Sequence, residues 1–326
     1  MDDLYVLSDG NNDIGFFVNK NNTDPISKEL KAKNAALLYQ SVQLLNFYNP
    51  HGIFLDIGAN LGIFSFVFGA NGYKVYAFEA NIDNAAQMEK AQEYNQFDVT
   101  IIPSAVTEKS GVYFFHNDGP FGHLVNTIID HEHDSLVNGI SIDDWSRHID
   151  AASVNLIKID VEGSEIEVVK GMSRFLETAS YPAIYTEFNG WCLSWSQRTM
   201  DDFFDFFSNL GYHPYIIKNQ NTAEKVNCRL QPKCVVDFLM IHESNLSILN
   251  EKTILEGSSE MDSLFFKEAR KKSDPCEVYY YAWTILNVKK LQQHAKLSSF
   301  LDHLKRFNQP YCVAIYSSLV SKLESN

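Results

Sequence analysis

The chain has 326 residues, enough for one large domain with an appendage or for two domains. Its 45% apolar and 13% aromatic content supplies a buried core and excludes general disorder. The formal net charge of −14 argues against a polyanionic partner such as nucleic acid, whose binders usually carry a basic face. The acidity is uneven: residues 245–326 hold 11 Lys and Arg against 9 Asp and Glu, so the excess lies in the first 244 residues. Five cysteines (Cys192, Cys228, Cys234, Cys276 and Cys312) form no C-x-x-C pair and are too scattered for a disulfide framework. They read as free thiols in a reducing, cytoplasmic setting. The opening Met1-Asp2-Asp3-Leu4 has no apolar signal core. No apolar run approaches the roughly 18 residues that a membrane span needs.

In chain order, residues 4–7 and 14–18 flank the turn cluster Ser8-Asp9-Gly10-Asn11-Asn12 and predict a hairpin. Leu30, Leu37, Leu38, Val42 and Leu45 recur at helical spacing and predict one helix over 27–48. Asn49-Pro50-His51-Gly52 stops it. An apolar run then ends in Asp56, a glycine-bearing turn follows, and 63–70 reads as helix. This is the first strand, turn and helix of an open α/β sheet, where ligands bind at the carboxyl ends of the strands.

The turn reads Asp56-x-Gly58-x-Asn60-x-Gly62. It lacks the second close glycine that admits a pyrophosphate, and it lacks the G-K-[ST] of a triphosphate loop. An acid at the strand end repels phosphate and attracts an ammonium group. S-adenosylmethionine (SAM) carries that ammonium and no phosphate. The next strand, 74–78, ends in Glu79, an acid placed to accept hydrogen bonds from both ribose hydroxyls. Asp56 is therefore expected toward the methionine end and Glu79 on the ribose, with Gly58, Asn60 and Gly62 shaping the turn. A helix-capping Asp56 and a solvated Glu79 are the plainer alternative.

Residues 81–96 read as a helix and 98–102 as a strand. Ser104 follows, either near the adenine or capping a turn. Residues 111–116 are extended, and 117–138 read as a polar, irregular segment able to reach over the cofactor. That segment and its approach hold His116, His123, His131 and His133. Asp130-His131-Glu132-His133-Asp134 shows no third ligand at metal spacing, so no metal site is expected there. The glycine beside His123 allows close approach to a substrate. Residues 140–142 read as a strand, with Asp143-Asp144-Trp145 opening a short helix by capping and dipole.

Residues 154–159 are nearly all apolar, a strand buried on both faces, interrupted by Lys158, which belongs at a sheet edge or beside an acid. The strand ends at Asp160-Val161-Glu162-Gly163, and 164–172 reads as a helix. A second buried strand, 183–186, ends at Glu187. Asp160, Glu162 and Glu187 thus crowd one pocket floor, which raises a carboxylate pKa and can yield a base near neutral pH. The same acids could hold a divalent metal. Glu162 and Glu165 read equally well as charges at a helix N-terminus. Asn189, Trp191 and Trp195 follow in a predicted loop, and aromatics beside amides suit a sugar. Residues 199–210 form an amphipathic helix; 211–217 and 235–241 form an antiparallel closing pair joined by a loop.

Asp56-Ile57-Gly58-Ala59-Asn60-Leu61-Gly62 resembles the opening motif of class I SAM-dependent methyltransferases, and the chain more closely resembles the FkbM family. Three further stretches carry that resemblance: Ile140-Ser141-Ile142-Asp143-Asp144-Trp145, then Ile157-Lys158-Ile159-Asp160-Val161-Glu162-Gly163-Ser164-Glu165, then Tyr185-Thr186-Glu187-Phe188-Asn189. The likeness covers about residues 15–242. It implies a Rossmann-like, doubly wound, seven-stranded α/β sheet, entered by a hairpin and helix that cover the cofactor.

The expected organisation is a lead-in over 1–50, a SAM-binding domain over 51–244, and a helical module over 245–326. The module's helices are predicted at 261–272, 275–291, 294–308 and 310–324, with Tyr279, Tyr280, Tyr281 and Trp283 as core. It offers a lid, a docking face or a self-association surface. The implied activity is SAM-dependent O-methylation of a sugar or glycan precursor, with Asp160, Glu162, Glu187 and His123 at the acceptor. A non-catalytic SAM-binding or scaffolding protein is the alternative.

Overall fold

The computed structural model describes residues 2–117, 122–125, 133–195, 198–227, 233–257 and 261–324. β1 (Asp2–Ser8) and β2 (Asp13–Asn19) form the expected antiparallel hairpin. The Asp9 carboxylate accepts from the N–H groups of Asn11 and Asn12 and closes the turn. The single helix expected over 27–48 is two, α1 (Pro25–Lys31) and α2 (Ala36–Phe47). Lys33 takes a left-handed φ of 54° between them, which a helix interior cannot accommodate although the apolar spacing runs on.

β3 (Ile53–Ile57), α3 (Ile63–Ala70), β4 (Lys74–Phe78), α4 (Ile82–Asn95) and β5 (Val99–Ile102) follow as successive strand and helix units. β6 (Ala105–Val106), β7 (Gly111–His116), β8 (His123–Val125) and β9 (Asp134–Ile140) form a separate sheet in the order β6-β9-β7-β8. The described parts of the segment expected to be irregular are therefore strands. β9 ends at Ile140, where a continuation to 142 was expected. Ser141 instead caps α5 (Ile142–Trp145) by accepting from the Asp144 N–H.

β10 (Val154–Ile159), α6 (Glu165–Lys170), α7 (Ser173–Thr178) and β11 (Ala183–Asn189) come next. β11 runs three residues past the expected end, and α8 (Gly190–Trp195) replaces the expected loop. α9 (Met200–Asn209) opens on a capping box between Thr199 and Asp202. β12 (Tyr212–Asn219), β13 (Thr222–Lys225), β14 (Val235–His242) and β15 (Thr253–Glu256) complete the main sheet. α10 (Met261–Ala269), α11 (Pro275–Asn287), α12 (Lys289–Gln292), α13 (Leu297–Leu304) and α14 (Pro310–Glu324) finish the chain.

The main sheet has nine described strands where seven were expected, in the order β15-β13-β12-β14-β11-β10-β3-β4-β5. The extra two extend one edge: β13 returns on β12 within the expected connecting loop, and β15 pairs in parallel with β13. The strands from β5 to β11 are parallel to one another, while β14 is antiparallel to β11 and β12 to β14. β3 and β10 are neighbours, yet the chain leaves them toward opposite edges. They mark the point where an open α/β sheet forms its binding crevice.

Both faces are covered. The hairpin, α2 and α3 bury one face around Phe16, Leu44, Phe54 and Phe66. The other face buries Phe188 and Phe203 in one cluster with Phe265, Tyr280, Tyr281, Ile315 and Leu319 of the C-terminal helices. Those helices turn their apolar residues onto the sheet.

Candidate active site

The parallel register sets one row of residues along the carboxyl edge of the sheet. Ile57 pairs with Phe78 on one side and Ile159 on the other, and Ile159 pairs with Thr186. The next residue on each strand is then Glu79, Gly58, Asp160 and Glu187. Across the antiparallel pair, Glu187 stands directly opposite Asp237.

The turn after β3 is built by left-handed backbone. Gly58 has φ 78°, and the N–H groups of Gly58 and Ala59 both donate to the Phe78 carbonyl at 3.0 Å. A Cβ on Gly58 would collide with the Asp160 carbonyl oxygen, so only glycine fits there. The turn's next amide, Asn60 N–H, donates to Glu79 Oε2 at 2.7 Å, and Asn81 N–H donates to Oε1 at 2.8 Å. Glu79 is 7% exposed yet lines a cavity of about 320 Å³ with its remaining lone pairs. Burial pushes its carboxyl up to about 7, against the two amide hydrogen bonds that pull it down.

The same cavity is lined by Gly58, Asn60, Ser104, His123, Asp160, Glu162 and Glu187. It is roofed by Ile26, Leu37 and Gln40 of the lead-in helices. Carboxylate atoms of Asp160, Glu162 and Glu187 lie within 4.8 Å of one another. Burial, then the neighbouring Asp160 and Glu165 charges, push Glu162 up to about 8. Burial and Asp160 also push Glu187 well above the usual carboxylate range. Burial raises Glu165 to about 7, although it accepts from the Gly163 and Val161 N–H groups. Glu162 itself has a φ of 52°, a strained conformation for a side-chain-bearing residue.

Lys158 counters this negative field. It lies in a central strand, 5% exposed, so the sheet-edge alternative does not hold and the pairing with acids does. Its Nζ lies 3.3 Å from Asp160 Oδ2 and 3.5 Å from Asp56 Oδ1, and donates to the Gly58 carbonyl at 3.1 Å. Burial opposes the charge, but the Asp160 and Asp56 carboxylates outweigh it and hold Lys158 above its ordinary value.

Residues 56–214 match a family described as the Methyltransferase FkbM domain. This stretch is an FkbM methyltransferase domain. The class is that of enzymes using SAM. A curated relative, the hexuronic acid methyltransferase AglP of Haloferax volcanii, is 26% identical over 142 residues, covering 42% of this chain. The chain matches 57% of that relative's length. Two solved structures are also similar. M. capricolum TrmK in complex with S-adenosylhomocysteine (SAH) has a TM-score of 0.38 and 10% identity over 88% of this chain and 97% of its own. Streptococcus pneumoniae Sp1610, described as a putative tRNA (m1A22) methyltransferase, has a TM-score of 0.38 and 11% identity over 89% and 98%.

Within the FkbM domain, several expected site residues sit elsewhere. Asp56 is fully buried beneath the turn, where Ser65 Oγ donates to it at 2.6 Å and Lys158 flanks it; it does not line the cavity. Gly62, with φ 78°, precedes α3 and packs toward Phe66 and Met88 without lining the cavity. Asn189 is buried and donates to Glu162 Oε2 at 2.9 Å, so it holds an acid where acceptor contact was expected. Trp191 turns away to Tyr279 and Tyr311, with ring centroids 5.4 and 5.5 Å apart. The Trp195 side chain lies outside the described residues, as do His131 and Cys228. His133 is described, and its ring lies 6.2 Å from that of His116.

His123 does line the cavity, its ring 5.5 Å from that of His116, whose Nδ1 is 2.6 Å from Asp134. Two residues went unremarked in the sequence, Gln40 and Asp237. Asp237 had a signal: it is the one charge inside the apolar run 235–241. Gln40 had none, being one of several polar residues on α2 with Ser41, Gln43 and Asn46.

Proposed function

We propose that the protein is a SAM-dependent methyltransferase directing the methyl group to a hydroxyl of a sugar or glycan precursor. The observation that carries this is one continuous cavity with Glu79 and the Gly58 turn at one side and Asp160 at the other. The residues present fit SAM: a left-handed glycine cradle that a Cβ would fill, and a buried acid with lone pairs free for a diol. When bound, SAM supplies an electrophilic methyl on a sulfonium. Gly58, Ala59 and Asn60 would shape the near wall, Glu79 would accept from the ribose hydroxyls, and Ser104 would lie by the base. The parallel order β5-β4-β3-β10-β11 sets Asp160 next to the Gly58 turn, which supports an acceptor on that side.

Asp160, Glu187 and Glu162 then supply what a hydroxyl acceptor needs, a nearby carboxylate to take its proton as the oxygen attacks. Lys158 holds Asp160 in place, and Asn189 and Cys192 hold Glu162. The lead-in helices exclude water from above, which strengthens each charge interaction inside. The name of the Haloferax relative, a hexuronic acid methyltransferase, supports a sugar acceptor.

The test is calorimetric binding of SAH to wild type and to Glu79→Ala. Wild type binds, and the variant loses roughly 1–3 kcal/mol, the cost of removing a buried hydrogen-bonding acid. A wild type that binds no SAH overturns the reading. Turnover lost in Asp160→Asn with SAH binding retained separates an enzyme from a binding scaffold.

A further inference from the structure

We propose that a second cavity, beyond Asp160 and Glu187, is the acceptor chamber, that it takes an uncharged polyhydroxylated ring such as a hexose unit, and that Asp237 and Gln40 are its specificity-determining contacts. The proposal rests on the methyltransferase reading above and extends it to the acceptor.

The second cavity measures about 340 Å³. It shares Gln40, Phe64, Lys158, Asp160 and Glu187 with the cofactor cavity, so the two chambers meet at the strand-end acids. A ring held in the second chamber can present one hydroxyl at that junction while its body stays clear of the Glu79 end. The chamber lies over β11, β14 and β12, on the face covered by α2.

Its floor continues the carboxyl-edge row. Glu187 faces Asp237 directly across the antiparallel pair, and residues so placed project to the same side within side-chain reach. Gln40 Nε2 holds Asp237 by donating to Oδ2 at 3.3 Å, and Tyr185 lies close enough to favour the charged carboxyl. A carboxylate offers about four lone-pair sites, so lone pairs remain for the hydroxyls of a ligand. The walls between these polar groups are apolar, with Phe64, Leu37 and Ile217 on the face covered by α2, and suit the C–H face of a pyranose ring.

Charge sets the class. Asp160, Glu187 and Asp237 all line the chamber. Lys158, its buried cation, is already engaged by Asp56 and Asp160. Lys233, the other cation among the described lining residues, is exposed at the rim. An acceptor carboxylate would meet the Asp160 and Asp237 carboxyls, with Glu187 holding its proton between them, and no unengaged buried cation opposite it. The chamber therefore favours an uncharged ring, unlike the hexuronic acid in the Haloferax relative's name.

The experiment uses the full chain with SAM, scoring SAH release. Its probes are the methyl glycosides of glucose, mannose and galactose and the matching methyl glycosiduronic acids. Wild type methylates at least one neutral glycoside in preference to its uronic counterpart. Asp237→Asn and Gln40→Leu raise KM for that glycoside by about ten-fold, as expected for a lost hydrogen bond to a charged or polar partner, with kcat changed far less. SAH affinity by calorimetry stays at the wild-type value in Asp237→Asn, whose side chain lines the second chamber and not the cofactor cavity. Should Asp237→Asn fail to bind SAH and so prove misfolded, Gln40→Leu on the covering helix carries the test. Preference for the uronic acids, turnover of none of the probes with SAH binding intact, or an unchanged KM in both variants overturns the chamber and leaves the cofactor reading standing. Loss of SAH binding by wild type sinks the underlying reading instead.

Discussion

Gly58 packs its Cα against the backbone carbonyl of Asp160, leaving no room for a Cβ between them. The cofactor turn and the strand-end acid are thereby locked together through main chain. Gly58→Ala must push the two apart and must also hold alanine at φ 78°. It should cost roughly 2–4 kcal/mol of stability, read by urea denaturation, and abolish SAH binding in the fraction that stays folded. An alanine variant of wild-type stability would show that this contact is not tight.

Lys158 is the buried counter-charge to Asp56 and Asp160. Lys158→Met leaves Asp56 fully buried and uncompensated, which should cost about 3–5 kcal/mol. The double variant Lys158→Met with Asp56→Asn removes the orphaned charge as well and should recover a large part of that loss. Equal stability of the single and double variants would mean that Asp56 does not depend on Lys158.

Stability of the protein without cofactor should fall as pH rises from about 5 to about 8. Glu79 and Glu165 are raised to about 7 and Glu162 to about 8, from an ordinary 4.5, and Glu187 also moves up. Between those values the folded chain still holds protons that the unfolded chain has released. The native state binds more protons, so unfolding becomes easier with each step upward in pH. Urea midpoints at pH 5, 6, 7 and 8 check the slope, and Glu162→Gln should flatten it. A midpoint that rises across this range contradicts the assignment.

Trp191 should matter for stability and not for ligand. Its ring sits between Tyr279 and Tyr311 of the C-terminal helices. Trp191→Ala should lower stability by roughly 2–3 kcal/mol, somewhat below the cost at a fully buried site, with SAH affinity and acceptor KM unchanged. A large KM effect would restore Trp191 to the acceptor.

The central strands were legible because burial on both faces makes them continuous apolar runs. β3, β4 and β10 end where the run meets Asp56's turn, Glu79 and Asp160. That rule set Glu79 and Asp160 just past the ends of β4 and β10, where the structure has them. The faces of residues beyond a strand end were not legible, since they depend on what packs there. Asn189 and Trp191 are one short step from Glu187, yet one turns to Glu162 and the other to the C-terminal helices. β9 hid because most of its side chains are at least partly exposed, with Leu136 at 66%, so no apolar run marks it. Asp56 differs because it lies inside β3, in register with Lys158 and two residues short of the row that holds Glu79 and Asp160, and it is buried there against that lysine.

Tyr280 lies over Gly190 so closely that a side chain at 190 would occupy its ring, and Phe188 packs against the same tyrosine. β11 and α8 are thus finished by a residue made ninety positions later. During synthesis the β1–β2 hairpin and the β3, β4 and β5 strands can settle as they emerge, because those partners are near in sequence. On the opposite face α6, α7 and α9 pack early, but the ground around Phe188 and Gly190 is finished only when α11 has left the ribosome. For that interval the nascent chain lacks the ring that closes over Phe188 and Gly190, and the end of β11 is left without its cover.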